Sequence, residues 1–182
     1  MENQTIGDIY ANNEKIREKT KQLAAFLTDA QTTDLPEDGK WTFAAMFEHI
    51  AIVQDGMTKI SAKLLDEAKA SDKSSNGEAV LTDAFKQKAA AAQEMKLEAP
   101  ERVAPTGKMS IAESLAKMDE TQKSLEGLRP LFETVECSDF KFPHPLMGDL
   151  NAHEWLTLVG GHEARHLRQI EKMLEGNKNQ TA

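Results

Sequence analysis

The stretch that decides the fold runs from His153 to Met173 and reads HEWLTLVGGHEARHLRQIEKM. Its apolar residues recur at intervals of three and four, which is the pattern of a long amphipathic helix. His162 and His166 lie four residues apart within it, so their side chains share one face of that helix, one turn apart. Two imidazoles in this arrangement can bind the same divalent ion. The stretch therefore predicts both a helical fold and a metal site.

Composition restricts the class of protein. The chain has 182 residues, of which 40% are hydrophobic and 5% are aromatic, and we expect one domain over residues 1–182 with a mainly aliphatic core. The formal net charge of -8 argues against a nucleic-acid or anionic-membrane partner, because such partners need clustered cations. Cys137 is the only cysteine, and neither a signal-peptide pattern nor a membrane-spanning apolar run is present. These features predict a soluble, cytoplasmic protein.

The first half of the chain contains two long helical patterns and a shorter one. Apolar spacing predicts a first helix over residues 5–29, which ends before a turn at residues 35–39. A second helix is expected after Thr42, whose hydroxyl can cap its first turn. A weaker, alanine-rich stripe over residues 78–96 predicts an accessory helix.

The second half begins with a connection and continues with two more helical patterns. Residues 99–108 contain two prolines and a glycine, so they are expected to form an extended surface connection. Ser110 and Glu113 match the capping-box pattern and predict the start of a third long helix, which Pro130 should disturb. Residues 136–149 are expected to form an irregular loop before the last helix.

The fold class follows from these segments. Asp149 or Asn151 can cap the last helix, and no convincing strand pattern or repeat is present. Four long helices and one shorter one predict an all-α protein. Its expected architecture is a four-helix bundle with one long crossover and an additional short helix.

A third candidate ligand lies on the second helix. His49 falls between Met46 and Val53 on an apolar stripe, so its imidazole is expected to face the same core as His162 and His166. Three histidines from two helices would leave open positions on a metal such as zinc, nickel, copper or iron, as catalytic sites do. The alternative for His49 is an ordinary hydrogen-bonded core histidine.

Two known metal motifs also overlap this region. Residues 162–166 fit H-E-x-x-H, in which the glutamate, here Glu163, is the general base of a metalloprotease. That motif needs a further ligand, but only Glu171 and Glu175 follow on the same helix, so a protease is not favoured. The E-x-x-H spacing of di-iron bundles is also present, but a second such pair is missing.

The order of several motifs is similar to that of one protein family. The matching segments are, in chain order, Trp41-Thr42, Phe47–Ile50, Pro143–Gly148, Glu154–Leu156 and His162–Ile170. On these residues the chain resembles the DinB-like (DinB/YfiT) superfamily, in the branch with four long helices. The likeness spans nearly the whole chain.

The resemblance implies a function as well as a fold. In that family the residues corresponding to His49, His162 and His166 bind a divalent metal, usually assigned as zinc or nickel. Some members are metal-dependent transferases that activate a low-molecular-weight thiol, others are thiol-dependent isomerases, and many have no known activity. We expect a metal-dependent transferase with a small-molecule substrate, a thiol being one candidate. A metal-dependent hydrolase and a non-catalytic binding or stress-response module stay open.

Other polar residues receive weaker assignments. Gln169 can hydrogen-bond a ligand or make an ordinary helix contact, and His144 is expected to hold a turn, with the mouth of a pocket as the alternative. His153 lies about half a turn away from the ligand face and is excluded as a ligand. Cys137 is expected to be a structural thiol. Long helices of this kind are compatible with a homodimer.

Overall fold

The computed structural model describes residues 4–27, 41–95 and 98–180. Within them the helices are, in chain order, α1 (Ile6–Ala25), α2 (Phe43–Lys69), α3 (Asp83–Glu94), α4 (Ile111–Thr134) and α5 (Ala152–Gln180). The remaining regular elements are a 3-10 turn at Glu101–Val103 and an antiparallel hairpin of β1 (Lys141–His144) and β2 (Gly148–Asn151). None of the described helices combines the length and the apolarity needed to cross a membrane.

Side-chain caps set the starts of the long helices, as the sequence predicts. The Thr42 hydroxyl accepts a hydrogen bond from a backbone N–H in the first turn of α2, and Ser110 and Glu113 form a complete capping box at α4. At α5 the cap is Asn151, whose side chain accepts from the Glu154 N–H at 3.0 Å while the Glu154 carboxylate accepts from the Asn151 N–H at 3.0 Å. Each cap satisfies backbone donors that the helix leaves free.

The long helices form a four-helix bundle. α2 packs against α4 and α5, and α1 packs against the same two helices. α2 and α4 run parallel, since Asp55 in the middle of α2 pairs with Lys117 in the first half of α4, and Ser74 pairs with Val135 beyond the ends of both helices. Parallel neighbours cannot be joined by a short turn, so the described residues 70–95 and 98–110 run back along the bundle and carry α3 on the way. This confirms the expected bundle with one long crossover and an additional short helix.

The expected disturbance of α4 at Pro130 is wrong. The helix continues through Pro130 to Thr134. Proline has no N–H and so removes one helical hydrogen bond. Phe132, in the following turn, is fully buried, and its packing holds the end of the helix in place. Tertiary contacts outweigh the local preference here.

The expectation of an irregular loop over residues 136–149 is also wrong in part. Residues 141–151 form the β1–β2 hairpin, in which Pro143 lies opposite Asp149. A two-stranded ribbon tolerates a proline because a residue on its outer edge needs no N–H partner. The turn of this hairpin uses Gly148 at a φ of +80°, a conformation that glycine adopts without strain.

Some predicted helix ends shift by a few residues. α1 ends at Ala25 rather than near residue 29, and α3 begins after its cap, Thr82, rather than at residue 78. The turn expected at residues 35–39 lies outside the described residues, as does residue 96 at the end of the accessory helix.

Three clusters of buried hydrophobic residues fill the described part of the bundle, and the smallest consists of Ile50, Ala51 and Met118. The largest one includes Ile6, Phe132 and Leu156. The second cluster contains Phe43, Phe47 and Ile170, which lie within two turns of His49 or His166 on the same helices. Close-packed side chains hold the two helices that carry the histidines at a fixed separation.

Close packing between α1 and α5 yields a test of this arrangement. A Cβ added at Gly160 would overlap the Asn13 side chain, which donates a hydrogen bond to the Leu156 carbonyl at 3.1 Å, whereas a Cβ at Gly161 would meet nothing within 4 Å. Both variants replace a helical glycine by alanine, so both gain the same helix propensity. We therefore expect Gly160→Ala to be less stable than Gly161→Ala by about 1–3 kcal/mol, the cost of displacing that hydrogen bond. Urea unfolding of both variants measures the difference, and equal stabilities would contradict the close approach.

Candidate metal centre

Three imidazoles converge where α2 faces α5. His162 and His166 lie one turn apart on α5, and His49 lies in the second turn of α2. The Nε2 atom of His162 is 3.2 Å from the Nε2 atom of His49 and 3.2 Å from that of His166. The candidate ligand atoms all lie within 4.8 Å of one another. The structure therefore brings together the three histidines that the sequence singles out.

The ring of His49 is held on both sides. Its Nδ1 atom donates a hydrogen bond to the Val103 carbonyl oxygen at 2.7 Å, and the Trp41 ring lies against it with ring centroids 4.8 Å apart. An imidazole that carries its proton on Nδ1 presents a lone pair at Nε2. The Nε2 atom of His49 is thus prepared to accept a proton or a cation.

No placement of protons lets all three imidazoles hydrogen-bond one another through Nε2. Two Nε2 atoms face His162 Nε2 at the same distance, yet one nitrogen carries at most one proton. The Nδ1 atoms of His162 and His166 are buried, and no residue in the described part of the chain hydrogen-bonds them. Ligand nitrogens about 2.0–2.1 Å from a tetrahedral ion are about 3.3 Å apart, close to the 3.2 Å that separates His162 Nε2 from the Nε2 atoms of His49 and His166. The three residues fit a divalent ion held through Nε2.

Electrostatics keep the ligands in the state that binds metals. Burial lowers the pKa of His162 well below its usual value, and the neighbouring His166 and His49 lower it further. Burial and the adjacent His49 lower the pKa of His166 to about 3. Burial also lowers the pKa of His49. All three imidazoles are therefore neutral near pH 7, with free lone pairs.

The crossover closes one side of this centre. The Glu48 carboxylate, beside His49, accepts hydrogen bonds from the Thr106 hydroxyl at 2.5 Å and the Gly107 N–H at 2.7 Å. Burial raises the pKa of Glu48, but these hydrogen bonds and one from the backbone of Lys108 outweigh it and lower the pKa. The carboxylate is therefore charged, and it binds the crossover to the start of α2.

Comparison with known proteins gives the family. A family model described as the DinB superfamily matches residues 13–170. This chain belongs to the DinB superfamily. One similar solved structure is that of TT2238, described as a four-helix bundle protein, with 20% sequence identity, a TM-score of 0.61, and coverage of 91% of this chain and 98% of that chain. At that identity the likeness shows the fold alone, and the search of curated proteins found no match.

Glu163 is not part of the three-histidine group in this DinB chain. Its carboxylate, 1% exposed, accepts hydrogen bonds from Arg17 Nε at 2.9 Å, from Arg17 Nη2 at 3.0 Å and from Gln54 Nε2 at 2.6 Å. Arg17 also donates to the Gln54 side chain. A carboxylate held in this way is not available as a general base. The H-E-x-x-H pattern at residues 162–166 is thus coincidental with respect to protease chemistry.

The sequence pattern does not predict the hydrogen-bond network of Arg17, Gln54 and Glu163, which we call the Arg17 network. Arg17 is only 4% exposed and Gln54 is fully buried. One local signal was available, because Arg17 lies seven residues after Tyr10 and so falls on the buried face of α1. Its partner Glu163 is 146 positions away, and helical spacing cannot identify it.

The other two histidines lie outside the three-histidine group. The Nδ1 atom of His144 accepts hydrogen bonds from the backbone N–H groups of Leu146 and Met147, each at 3.2 Å, so His144 holds the hairpin turn. His153 is fully buried; its Nδ1 accepts from the Val80 N–H at 3.0 Å, and its Nε2 lies 3.3 Å from Cys137 Sγ. Both have structural partners.

Cys137 does not have the properties of a nucleophile. It is fully buried, and burial, together with the nearby Glu136, raises the pKa of its thiol to about 12. The neighbouring His153 accepts a backbone hydrogen bond at Nδ1, so in its neutral form it carries its proton on Nε2, facing the sulfur. This histidine cannot take a proton from the thiol.

Two more residues of α5, Gln169 and Arg165, lie close to the three histidines. The side chain of Gln169 acts to raise the pKa of His166, against the larger effect of burial. Arg165 extends to the crossover and donates to the carbonyl oxygens of Ala92 and, at 2.7 Å, of Met95. A cation at the carboxyl end of α3 is favourable, and this contact places α3 beside the histidines.

Proposed function

We propose that this protein is a metal-dependent transferase whose divalent ion, zinc or nickel, is bound by His49, His162 and His166. The observation that carries the proposal is the convergence of three neutral imidazoles on one point through Nε2. Membership of the DinB superfamily supports it. Three protein ligands would leave room for a small molecule at the ion, as in catalytic sites.

The substrate we propose is a low-molecular-weight thiol together with an electrophile. A bound divalent ion lowers the pKa of a thiol, so that the thiolate is available near pH 7. The protein holds its three imidazoles neutral and fixes the ring of His49 against Val103.

Hydrolysis is the weaker alternative. A metal hydrolase usually combines its ion with a general base. The two carboxylates next to the histidines in sequence are both engaged, Glu163 by Arg17 and Glu48 by the crossover. Among the described residues, the three-histidine group includes no Asp or Glu. A thiol with a lowered pKa needs no such base, which favours transfer over hydrolysis.

Cobalt substitution tests the proposal directly. Adding N-acetylcysteine to the Co²⁺-loaded protein is expected to produce a thiolate-to-cobalt charge-transfer band in the near ultraviolet, because the open positions accept the sulfur. N-acetylserine, the hydroxyl analogue, should produce none, and His162→Ala should abolish the response.

Two results would contradict thiol transfer. The first is an identical spectrum with both compounds. The second is hydrolysis of a simple ester without added thiol that depends on His162, which would support the hydrolase instead.

A further inference from the structure

We propose that Glu48 is a positioning residue for the metal centre, because it holds the part of the crossover whose carbonyl group fixes the ring of His49. This part, the return segment, is defined as residues 98–110. The inference rests on the proposed function, because it treats His49 as a metal ligand. The arrangement itself is visible without a metal.

The buried carboxylate of Glu48 hydrogen-bonds the return segment. It is 1% exposed, and its two oxygens accept hydrogen bonds from different groups, Oε1 from the Thr106 hydroxyl at 2.5 Å and Oε2 from the Gly107 N–H at 2.7 Å. Gly107 has a φ of +72°, which allows its N–H to point at the carboxylate without strain. Hydrogen bonds to a charged acceptor are the stronger ones in proteins.

The next residue of α2 binds the same segment. His49 Nδ1 donates to the Val103 carbonyl oxygen at 2.7 Å, so two adjacent side chains hold the two ends of residues 103–106. Pro105 lies between these contacts, and its ring fixes one backbone dihedral. The stretch is therefore short and stiff, and a displacement of Thr106 and Gly107 would move the Val103 carbonyl group.

Loss of the Val103 contact would affect the centre directly. The ring of His49 could then rotate, its proton could move to Nε2, and Nε2 would leave its position 3.2 Å from His162 Nε2. Partners that orient metal-ligating histidines are typically worth a factor of about 10–100 in metal affinity. Glu48 touches no ligand nitrogen, so its effect would be transmitted through Val103.

The chain offers a matched control for Glu48. Glu154 is also 1% exposed and accepts from the Thr82 hydroxyl at 2.6 Å, from the Thr82 N–H at 2.9 Å and from the Asn151 N–H at 3.0 Å. It holds a different connection, at the start of α3, with the same chemistry. Replacing either carboxylate by an amide removes one charge and one acceptor. Glu154 caps α5 more than two turns before His162, and only Glu48 holds a segment that hydrogen-bonds the ring of a ligand.

The test compares Glu48→Gln with Glu154→Gln. We expect Glu48→Gln to weaken Zn²⁺ binding by a factor of about 10–100, measured by competition with a chelator, and Glu154→Gln to leave it unchanged. Equal weakening in both variants would overturn the proposal, because it would show a general loss of stability. If Glu48→Gln does not fold, Thr106→Val removes one hydroxyl donor at an exposed position and should weaken Zn²⁺ binding in the same direction.

A second measurement separates this proposal from the proposed function. Nitrogen-15 NMR of the metal-free protein reports which ring nitrogen of His49 carries the proton, and we expect Nδ1 in wild type but a mixture in Glu48→Gln. If wild type binds no Zn²⁺, the proposed function fails and this measurement alone judges the role of Glu48. An unchanged His49 proton position in Glu48→Gln would overturn that role.

Discussion

Replacing His49, His162 and His166 together by alanine is expected to reduce the bound divalent metal from about one ion per chain to nearly none. The physical reason is that the three Nε2 lone pairs are the only ligand atoms of this group, and oxygen ligands from water alone cannot hold zinc or nickel against competing chelators. Each single alanine variant should lose more than about 100-fold in affinity, more than the loss of a partner outside the ligand sphere costs. Elemental mass spectrometry of untagged protein, after reloading, measures the content.

His144→Ala is the matched control for this experiment. It removes a half-buried imidazole that lies near enough to His162 to lower the pKa of that residue. Its Nδ1 holds a hairpin turn, and it is not one of the three converging histidines. Its metal content should equal that of wild type, and circular dichroism should show the helical content of all variants to be the same. Metal retained in the triple variant, or absent from reloaded wild type, would contradict the metal centre.

Most of the fold could be predicted because its signals are local. The caps at Thr42 and at Ser110 with Glu113 depend on residues three positions apart, and helical stripes depend on spacings of three and four. The long crossover follows from the segments that separate the second and third long helices. The hairpin was not predicted because Pro143 and Gly148 are residue types typical of loops. Their place in strands depends on the pairing of β1 with β2.

Part of the candidate site could also be predicted from local signals, and part could not. The spacing of His162 and His166 is a local signal, and His49 could be added because its apolar stripe indicates the face that it shares. The groups that orient the site are not predictable in this way. Val103 and Thr106 come to His49 and Glu48 from a segment without helical periodicity, more than 50 residues along the chain, and hydrogen bonds of that kind depend on the assembled fold.

Replacing Arg17 by methionine is expected to cost about 3–5 kcal/mol of unfolding free energy, because it leaves the buried Glu163 carboxylate without its cation. Arg17 donates two hydrogen bonds to that carboxylate and one to Gln54, and no solvent replaces them at a residue that is 1% exposed. Typical domains are stable by about 5–15 kcal/mol, so this single change removes a large share. Urea unfolding followed by circular dichroism measures it.

Two comparisons decide whether the loss comes from the buried charge. Lys21→Met removes a half-exposed cation one turn further along α1, which pairs with Asp119 at 3.0 Å, and should cost less than about 1 kcal/mol. Combining Arg17→Met with Gln54→Leu and Glu163→Met removes the whole buried network and should recover much of the stability, since apolar side chains of similar size need no partner. If the combined variant is no more stable than Arg17→Met, lost packing rather than an unpaired carboxylate is the cause. The combined variant should also bind Zn²⁺ as wild type does, because Glu163 faces Arg17 and takes no part in holding the ion.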